Sequence, residues 1–148
     1  TLLAALLHDI GYWVLTQERA KELAEAQRIA TLESIPMDEA ERRVLGASHA
    51  EIGAYLLGIW GFPNPIVEAV AHHHSPRNVE QRGFDTLAAL CIAHALAEPA
   101  ENKAFEGDAV THSEVACEYL EAVHAPFSWD EAKFRADAQL AAVGGSPP

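Results

Sequence analysis

The stretch Leu3-Ala4-Ala5-Leu6-Leu7-His8-Asp9-Ile10-Gly11-Tyr12-Trp13-Val14 decides how the chain reads. Leu3, Leu6, Leu7, Ile10 and Val14 recur at spacings of three and four, the period of a helix with one buried face. An imidazole and a carboxylate, His8 and Asp9, interrupt that apolar run side by side. Neighbouring helical side chains diverge by about 100°, yet two adjacent ligands converge on one ion at a helix end or kink. Gly11 weakens a straight helix here and offers a place for such a change. A carboxylate and a neutral imidazole are both ligands for Zn, Mn or Fe. The plainer reading pairs Asp9 with a histidine or a backbone amide, because a buried carboxylate is costly alone.

Outward from this stretch the chain reads as helices throughout, with no strand alternation and no internal repeat. Gln17 to Ile29 is rich in Glu, Ala, Lys and Arg, good helix formers. Ser34-Ile35-Pro36 breaks the pattern, and Met37 to Leu45 forms another helix that Gly46 ends. Ser48-His49-Ala50-Glu51 is a capping box. It opens a helix with Ile52, Leu56 and Trp60 on one face and His49 in its first turn. Gly61-Phe62-Pro63 closes it. Asn64 is placed to cap the next helix, with Pro65 at its first position. That helix carries Ile66, Val67 and Val70 and runs into His72-His73-His74 before Ser75-Pro76. Arg77 to Gly83 is a polar loop, and Phe84 to Ala97 is a strongly apolar helix containing His94.

Pro99 to Asp108 is irregular and marks the best internal boundary. Thr111-His112-Ser113-Glu114 and Ser128-Trp129-Asp130-Glu131 are further capping boxes, so two more helices are expected before the frayed tail Gly144 to Pro148. The expected organisation is a helical core over 1–98, a linker over 99–110, and C-terminal helices with a tail over 111–148.

Composition narrows the classes. The chain has 148 residues, 49% hydrophobic and 22% charged, which is globular. Its formal net charge of −12 disfavours a nonspecific grip on nucleic acid or an anionic membrane, since both want a basic patch. A small phosphate ligand stays open, because a bound metal inverts the local field. No apolar run approaches the roughly 20 residues of a membrane helix. No secretory leader is visible, so a cytoplasmic protein is expected; the chain starts without Met, as a fragment would. Cys91 and Cys117 are too few for a disulfide framework or a four-cysteine zinc site, and both read as buried free thiols.

Eight histidines remain to be explained. His49 alone is weak evidence and fits a polar pocket at a helix start. His72 to His74 end an amphipathic helix, where the dipole favours cationic rings. His94, flanked by apolar residues, fits a satisfied core histidine. Their order says more than any one of them. His8-Asp9-Ile10-Gly11, then Ser48-His49-Ala50-Glu51-Ile52-Gly53-Ala54, then Trp60-Gly61-Phe62-Pro63, then Ala71-His72-His73-His74-Ser75-Pro76 resembles the HDOD family, the degenerate branch of the all-helical HD phosphohydrolase superfamily. The likeness runs from about Thr1 to Ala97. From Glu39 to Ala97 it is similar to the modified HD-GYP output domains of bacterial response regulators.

The resemblance implies an all-α, HD-domain-like bundle, here with the two extra C-terminal helices, and a metal site. His8 and Asp9 match the HD pair, His49 the middle histidine, His73 and His74 the paired histidines, and His94 aligns with the late Asp of the superfamily. In active members such a site makes a metal-bound hydroxide that attacks phosphorus. The departures are specific. Tyr12 stands where active members carry Lys, Ser75 where they carry Glu, and His94 where they carry Asp. The GYP tripeptide is absent, and the first ligand His would lie some tens of residues before Thr1.

The expectation is therefore a non-catalytic signal-transduction output module that acts through protein interaction. Its partners would be proteins of a signalling pathway, an upstream receiver domain among them, with a homodimer as one arrangement and no nucleic acid or membrane. The alternative is a metal-dependent phosphohydrolase acting on cyclic di-GMP or another nucleotide; a third reading is a regulatory nucleotide or metal binder without turnover. The candidate metal residues are His8, Asp9, His49, His73, His74 and His94. With one carboxylate among imidazoles they suit no metal or a single Zn, Fe or Ni ion at low occupancy, and no other cofactor.

Overall fold

The computed structural model describes residues 2–79 and 85–97, together with the single positions 121, 128 and 135. The described residues form seven α-helices and one short 3-10 turn, with no strand among them: α1 (Leu2–Leu7), α2 (Ile10–Glu18), α3 (Ala20–Glu33), α4 (Met37–Leu45), α5 (His49–Ile59), α6 (Asn64–His72), the 3-10 turn Pro76–Asn78, and α7 (Thr86–Ala97). The fold is an all-α bundle. The two C-terminal helices expected from the capping boxes at Thr111 and Ser128 lie outside the described residues, as does Cys117.

Local chemistry sets several boundaries as the sequence predicts. Gly46 takes φ 84° at the end of α4, a left-handed conformation that glycine adopts without a Cβ penalty. The Ser48 hydroxyl accepts from the Glu51 N–H, and the Ser48 N–H donates to the Glu51 carboxylate at 2.7 Å. This box fixes the start of α5, and such caps are worth about 1 kcal/mol. At α6 the cap falls one residue early. Pro63 is the capping position, and Asn64 is the first helical residue and makes no side-chain cap bond.

Two helices are cut differently from the reading of the sequence. The first apolar run breaks at His8-Asp9, two residues before Gly11, giving α1 and α2. The next helix begins at Ala20, because Arg19 leaves the helical conformation with φ −139°.

The α3–α4 hairpin turns at Ser34, and Arg43 ties it by pairing with Glu33 at 2.6 Å. Helix α5 packs on α2 and α6, and α1 packs on both α6 and α7. Ala4, Ala69, Leu87, Ala88, Leu90, Cys91 and Ile92 form one core; Ala54, Leu57 and Val70 form another, with Ile10, Phe62 and Val67 against it.

Alanine, rather than the larger side chains, fills much of the interior. The exposed residues include Leu3 and Leu6 of the presumed buried face of α1, while Ala4 is fully buried. In α5 the buried residues are His49, Ala50, Gly53, Ala54 and Leu57. On the face shared by Ile52, Leu56 and Trp60, the first two are half-buried and Trp60 is 55% exposed. Among the described residues no helix is long and apolar enough to cross a membrane.

Candidate metal centre

Three chain segments and helix α7 bring the candidate histidines together. The first segment is the His8-Asp9 turn between α1 and α2. The His8 Nδ1–H donates to the Ala5 carbonyl at 2.9 Å, which turns Nε2 toward Asp9 Oδ2 at 3.2 Å. Asp9 occupies the capping position of α2 but makes no side-chain cap bond, so its carboxylate serves the imidazoles instead.

The hydrogen bond to Asp9 holds the His8 imidazole above its ordinary pKa against the opposing effect of burial. For Asp9, burial opposes ionisation, but the hydrogen bond and charge of His8, joined by His49 and His73, hold the carboxyl below its usual range.

The second segment is the start of α5, and a glycine places it. A Cβ on Gly11 would stand 1.9 Å from the His49 carbonyl oxygen and 3.0 Å from the Gly53 N. Only two glycine-bearing helix faces approach this closely. Gly11 therefore acts through helix packing, not through a kink. The contact sets His49 Nε2 at 3.6 Å from Asp9 Oδ1.

The His49 Nδ1–H donates to Glu41 Oε2 at 2.7 Å, and its main-chain N–H donates to the same oxygen at 2.8 Å. Tyr12 stacks on the His49 ring, with centroids 3.9 Å apart and planes 14° from parallel. Burial, with the negative charges of Glu41 and Asp9 beside it, pushes the Tyr12 hydroxyl pKa far up, so this residue stays a neutral phenol.

The third segment is the end of α6. His73 Nδ1–H donates to the Val70 carbonyl at 2.7 Å. Its Nε2 is buried, makes no hydrogen bond, and lies 3.9 Å from Asp9 Oδ1. Burial lowers the His73 pKa to about 3, with the neighbouring His49, His94 and His8 adding to the effect. His73 is thus a neutral ligand-type imidazole and not a cation answering the helix dipole.

His74 Nε2 lies 2.9 Å from His49 Nε2. His94, on α7, stands with its ring centroid 5.3 Å from His8, 5.6 Å from His73 and 5.4 Å from His74. His72 faces elsewhere and lines a surface hollow with Asn64, Val67 and Glu68. All six candidate residues, His8, Asp9, His49, His73, His74 and His94, therefore share one centre.

Two sets of nitrogens lie close enough to hold an ion: His8, His73 and His94, and His49, His73 and His74, each with ligand atoms within 4.8 Å of one another. His73 belongs to both. Since its Nδ1 is committed to Val70, Nε2 is the atom the two sets share. The buried, unbonded Nε2 and the neutral imidazoles fit a borderline metal such as Zn, Ni or Fe, and do not fit a hard Mg site wanting oxygen ligands.

Glu41 is the residue that reasoning from sequence missed. Its signal was present in α4: Met37, Ala40, Glu41, Val44 and Leu45 fall on one stripe, so Glu41 is a carboxylate among apolar positions. A carboxylate there demands a partner, and it is fully buried.

The HDOD domain family matches residues 1–76, just over half of the chain and the part that carries His8, Asp9, His49, His73 and His74. The chain belongs to the HDOD family. Its relatives include an uncharacterized protein of Treponema pallidum (strain Nichols), 30% identical over 92 residues, which is 62% of this chain and 18% of that protein. A Ribonuclease Y of Thermus thermophilus is 38% identical over 82 residues, covering 55% of this chain and 13% of the ribonuclease. Ribonuclease Y of Deinococcus radiodurans is 31% identical over 96 residues, covering 64% of this chain and 17% of the ribonuclease. The HDOD chain thus spans less than a fifth of the length of each of these relatives. No solved structure matches it.

Proposed function

We propose that this HDOD chain is a regulatory output module that acts through protein interaction, with the histidine centre as a structural or ligand-sensing hub and not a catalyst. The observation that carries the reading is the make-up of α5. One helix of 11 residues bears His49 at its start and the exposed side chains of Tyr55 and Ile59 further along, with Trp60 exposed at its cap. A change at His49 is transmitted along a rigid element to apolar side chains suited to a protein partner. That partner belongs to a signalling pathway in this reading, with an upstream receiver domain or a second copy as candidates, and the setting is the cytoplasm.

Two features of the centre support absence of turnover. Among the described residues, Asp9 is the one carboxylate within hydrogen-bonding or ion-pairing reach of His8, His49 and His73 together, at the open side of the cluster. A two-metal phosphoryl site needs more bridging oxygen ligands than this. Tyr12, a neutral phenol stacked on His49, occupies the position where the resemblance places the cation of active enzymes.

When bound, one Zn, Fe or Ni ion would link the turns of α1 and α6 with α5 or α7 and supply Lewis acidity. His73 Nε2 and one of the two histidine pairs would hold it. The chain's own residues orient these imidazoles and keep His73 neutral.

The test is hydrolysis of cyclic di-GMP by the full-length protein supplied with Mn or Fe. Turnover at background is expected. Turnover that His8→Ala abolishes overturns the reading. Elemental analysis is expected to find no more than one ion per chain, and two tightly held ions would contradict a single shared site.

A second reading, a metal-dependent phosphohydrolase, is favoured by the similarity to proteins named Ribonuclease Y and by the intact His8-Asp9-Ile10-Gly11 motif. A short single-stranded RNA in the same assay separates it from the first.

A further inference from the structure

We infer that Glu41 is the positioning residue of this centre: it locks the His49 imidazole in the tautomer and orientation that turn Nε2 toward His73 and His74. The inference deepens the metal reading above and rests on it for its functional consequence.

Four observations converge. The Glu41 side chain is fully buried. A single oxygen, Oε2, accepts both from the His49 main-chain N–H at 2.8 Å and from His49 Nδ1–H at 2.7 Å. The first bond fixes where the residue sits, and the second fixes which ring nitrogen carries the proton. Tyr12, stacked at 3.9 Å, restrains the remaining freedom, rotation of the ring plane. With Nδ1 committed as a donor, the lone pair of the neutral ring is on Nε2. That atom faces the cluster, 2.9 Å from His74 Nε2 and 3.6 Å from Asp9 Oδ1.

A purely structural staple would not need a carboxylate. An amide oxygen accepts two such bonds equally well and avoids burying a charge. The charge has its effect on the imidazole: an anion behind Nδ1–H raises the electron density at Nε2 and makes it a better ligand, as carboxylate–histidine–metal arrangements do generally. In the metal-free protein the His49 lone pair accepts from His74 Nε2–H. An ion held by both nitrogens would require the His74 Nε2 proton to pass to solvent or to His74 Nδ1, while Glu41 would hold the His49 proton on Nδ1.

The experiment combines imidazole 15N NMR of the metal-free, full-length protein with a Co(II) titration, at about pH 8, where neutral rings prevail. The wild type is expected to show His49 as the Nδ1–H tautomer. Glu41→Gln keeps an acceptor and loses the charge; it is expected to retain the tautomer and bind Co(II) about 10- to 100-fold more weakly. Glu41→Leu removes the acceptor and is expected to give a tautomer mixture at His49. Unchanged Co(II) affinity in Glu41→Gln overturns the electronic role, and an unmixed Nδ1–H tautomer in Glu41→Leu overturns the positioning role. If Glu41→Leu does not fold, Glu41→Ala takes its place in the tautomer measurement. If the wild type takes up no Co(II) yet its tautomer depends on Glu41, the metal reading fails and the positioning role stands.

Discussion

The His8-Asp9 turn and the His73-His74 turn have the same local form. Each follows the end of a helix, and in each the first histidine donates Nδ1–H to the carbonyl three residues back, Ala5 at 2.9 Å or Val70 at 2.7 Å. Their proton affinities nevertheless move in opposite directions. His8 is held above its ordinary pKa, and His73 is driven down to about 3. The backbone staple cannot be the cause, because it is common to both. The difference comes from what lies at Nε2. For His8 that is the Asp9 carboxylate, on a turn whose side chains keep 22% and 48% of their exposure. For His73 the same carboxylate stands off at 3.9 Å without a hydrogen bond, and Nε2 lies in a dry interior ringed by other imidazoles. The proton affinity of a histidine at a helix end is therefore set by its neighbour and its burial.

The largest expected effect comes from separating the two turns. Both depend on the α2–α5 crossing, which Gly11 allows. In Gly11→Ala the new methyl meets the backbone carbonyl of His49 at 1.9 Å, and no side-chain rotation relieves that overlap. We expect a loss of about 3 kcal/mol or more, at the upper end of overpacking costs. Urea unfolding measures it. Gly53→Ala is the milder control, since its methyl meets Ile10 Cγ2 at 3.1 Å and the Gly11 main-chain N at 3.2 Å, tight contacts that small shifts relieve, unlike the 1.9 Å overlap at Gly11. Equal, small losses in both variants would mean that the crossing does not hold the turns together.

The next effect is on pH dependence. His73 has a folded pKa of about 3 against an ordinary value of 6.5. Between those values the unfolded chain binds a proton that the folded chain refuses, so stability is intact above about 6.5 and falls as pH is lowered. One such group contributes a slope of up to about 1.4 kcal/mol per pH unit. His8 works in the other sense: its contribution is complete below 6.5 and is lost as pH rises through its raised folded value. His73→Gln is therefore expected to flatten the acid limb of a stability–pH curve measured by urea midpoints. An unchanged acid limb would place the acid-sensitive group elsewhere.

How much of this was legible in the sequence depended on how local the cause was. The end of α4 at Gly46 and the start of α5 at Ser48 were readable, because cap chemistry involves residues within one turn. The break at His8-Asp9 was not, since the apolar period runs straight through it and only packing across Gly11 decides where the chain turns. The buried face of the first apolar run was misread for a related reason. Large apolar residues were assigned inward, whereas Ala4 lets the helices approach and leaves Leu3 and Leu6 outside. The ordered motifs pointed to the six candidate residues, and the structure brings them round one centre. Glu41 lay on the apolar stripe of α4, a signal that marks it as buried but does not name its partner; that partner and the stacking of Tyr12 on His49 rest on contacts between α4, α2 and α5 that no spacing encodes.

The smallest effect on stability is expected from Asp9→Asn, and it tests the origin of the asymmetry most directly. Asp9 makes no cap bond to α2, so the substitution costs the helix nothing at its start. Its side chain is half exposed, and ion pairs that exposed contribute about 0–1 kcal/mol. The urea midpoint should therefore shift by less than about 1 kcal/mol equivalent. The proton affinity of His8 should respond much more. With the carboxylate gone, the largest effect raising its pKa is lost and the opposing effect of burial remains. His8 is then expected to titrate below its wild-type value in an NMR pH series, so that the two turns become more alike. His73 should keep its Nδ1–H bond to Val70 and stay neutral, because burial and not Asp9 is what lowers it. A His8 titration that Asp9→Asn leaves in place would show that the turn itself, and not its carboxylate, sets the difference.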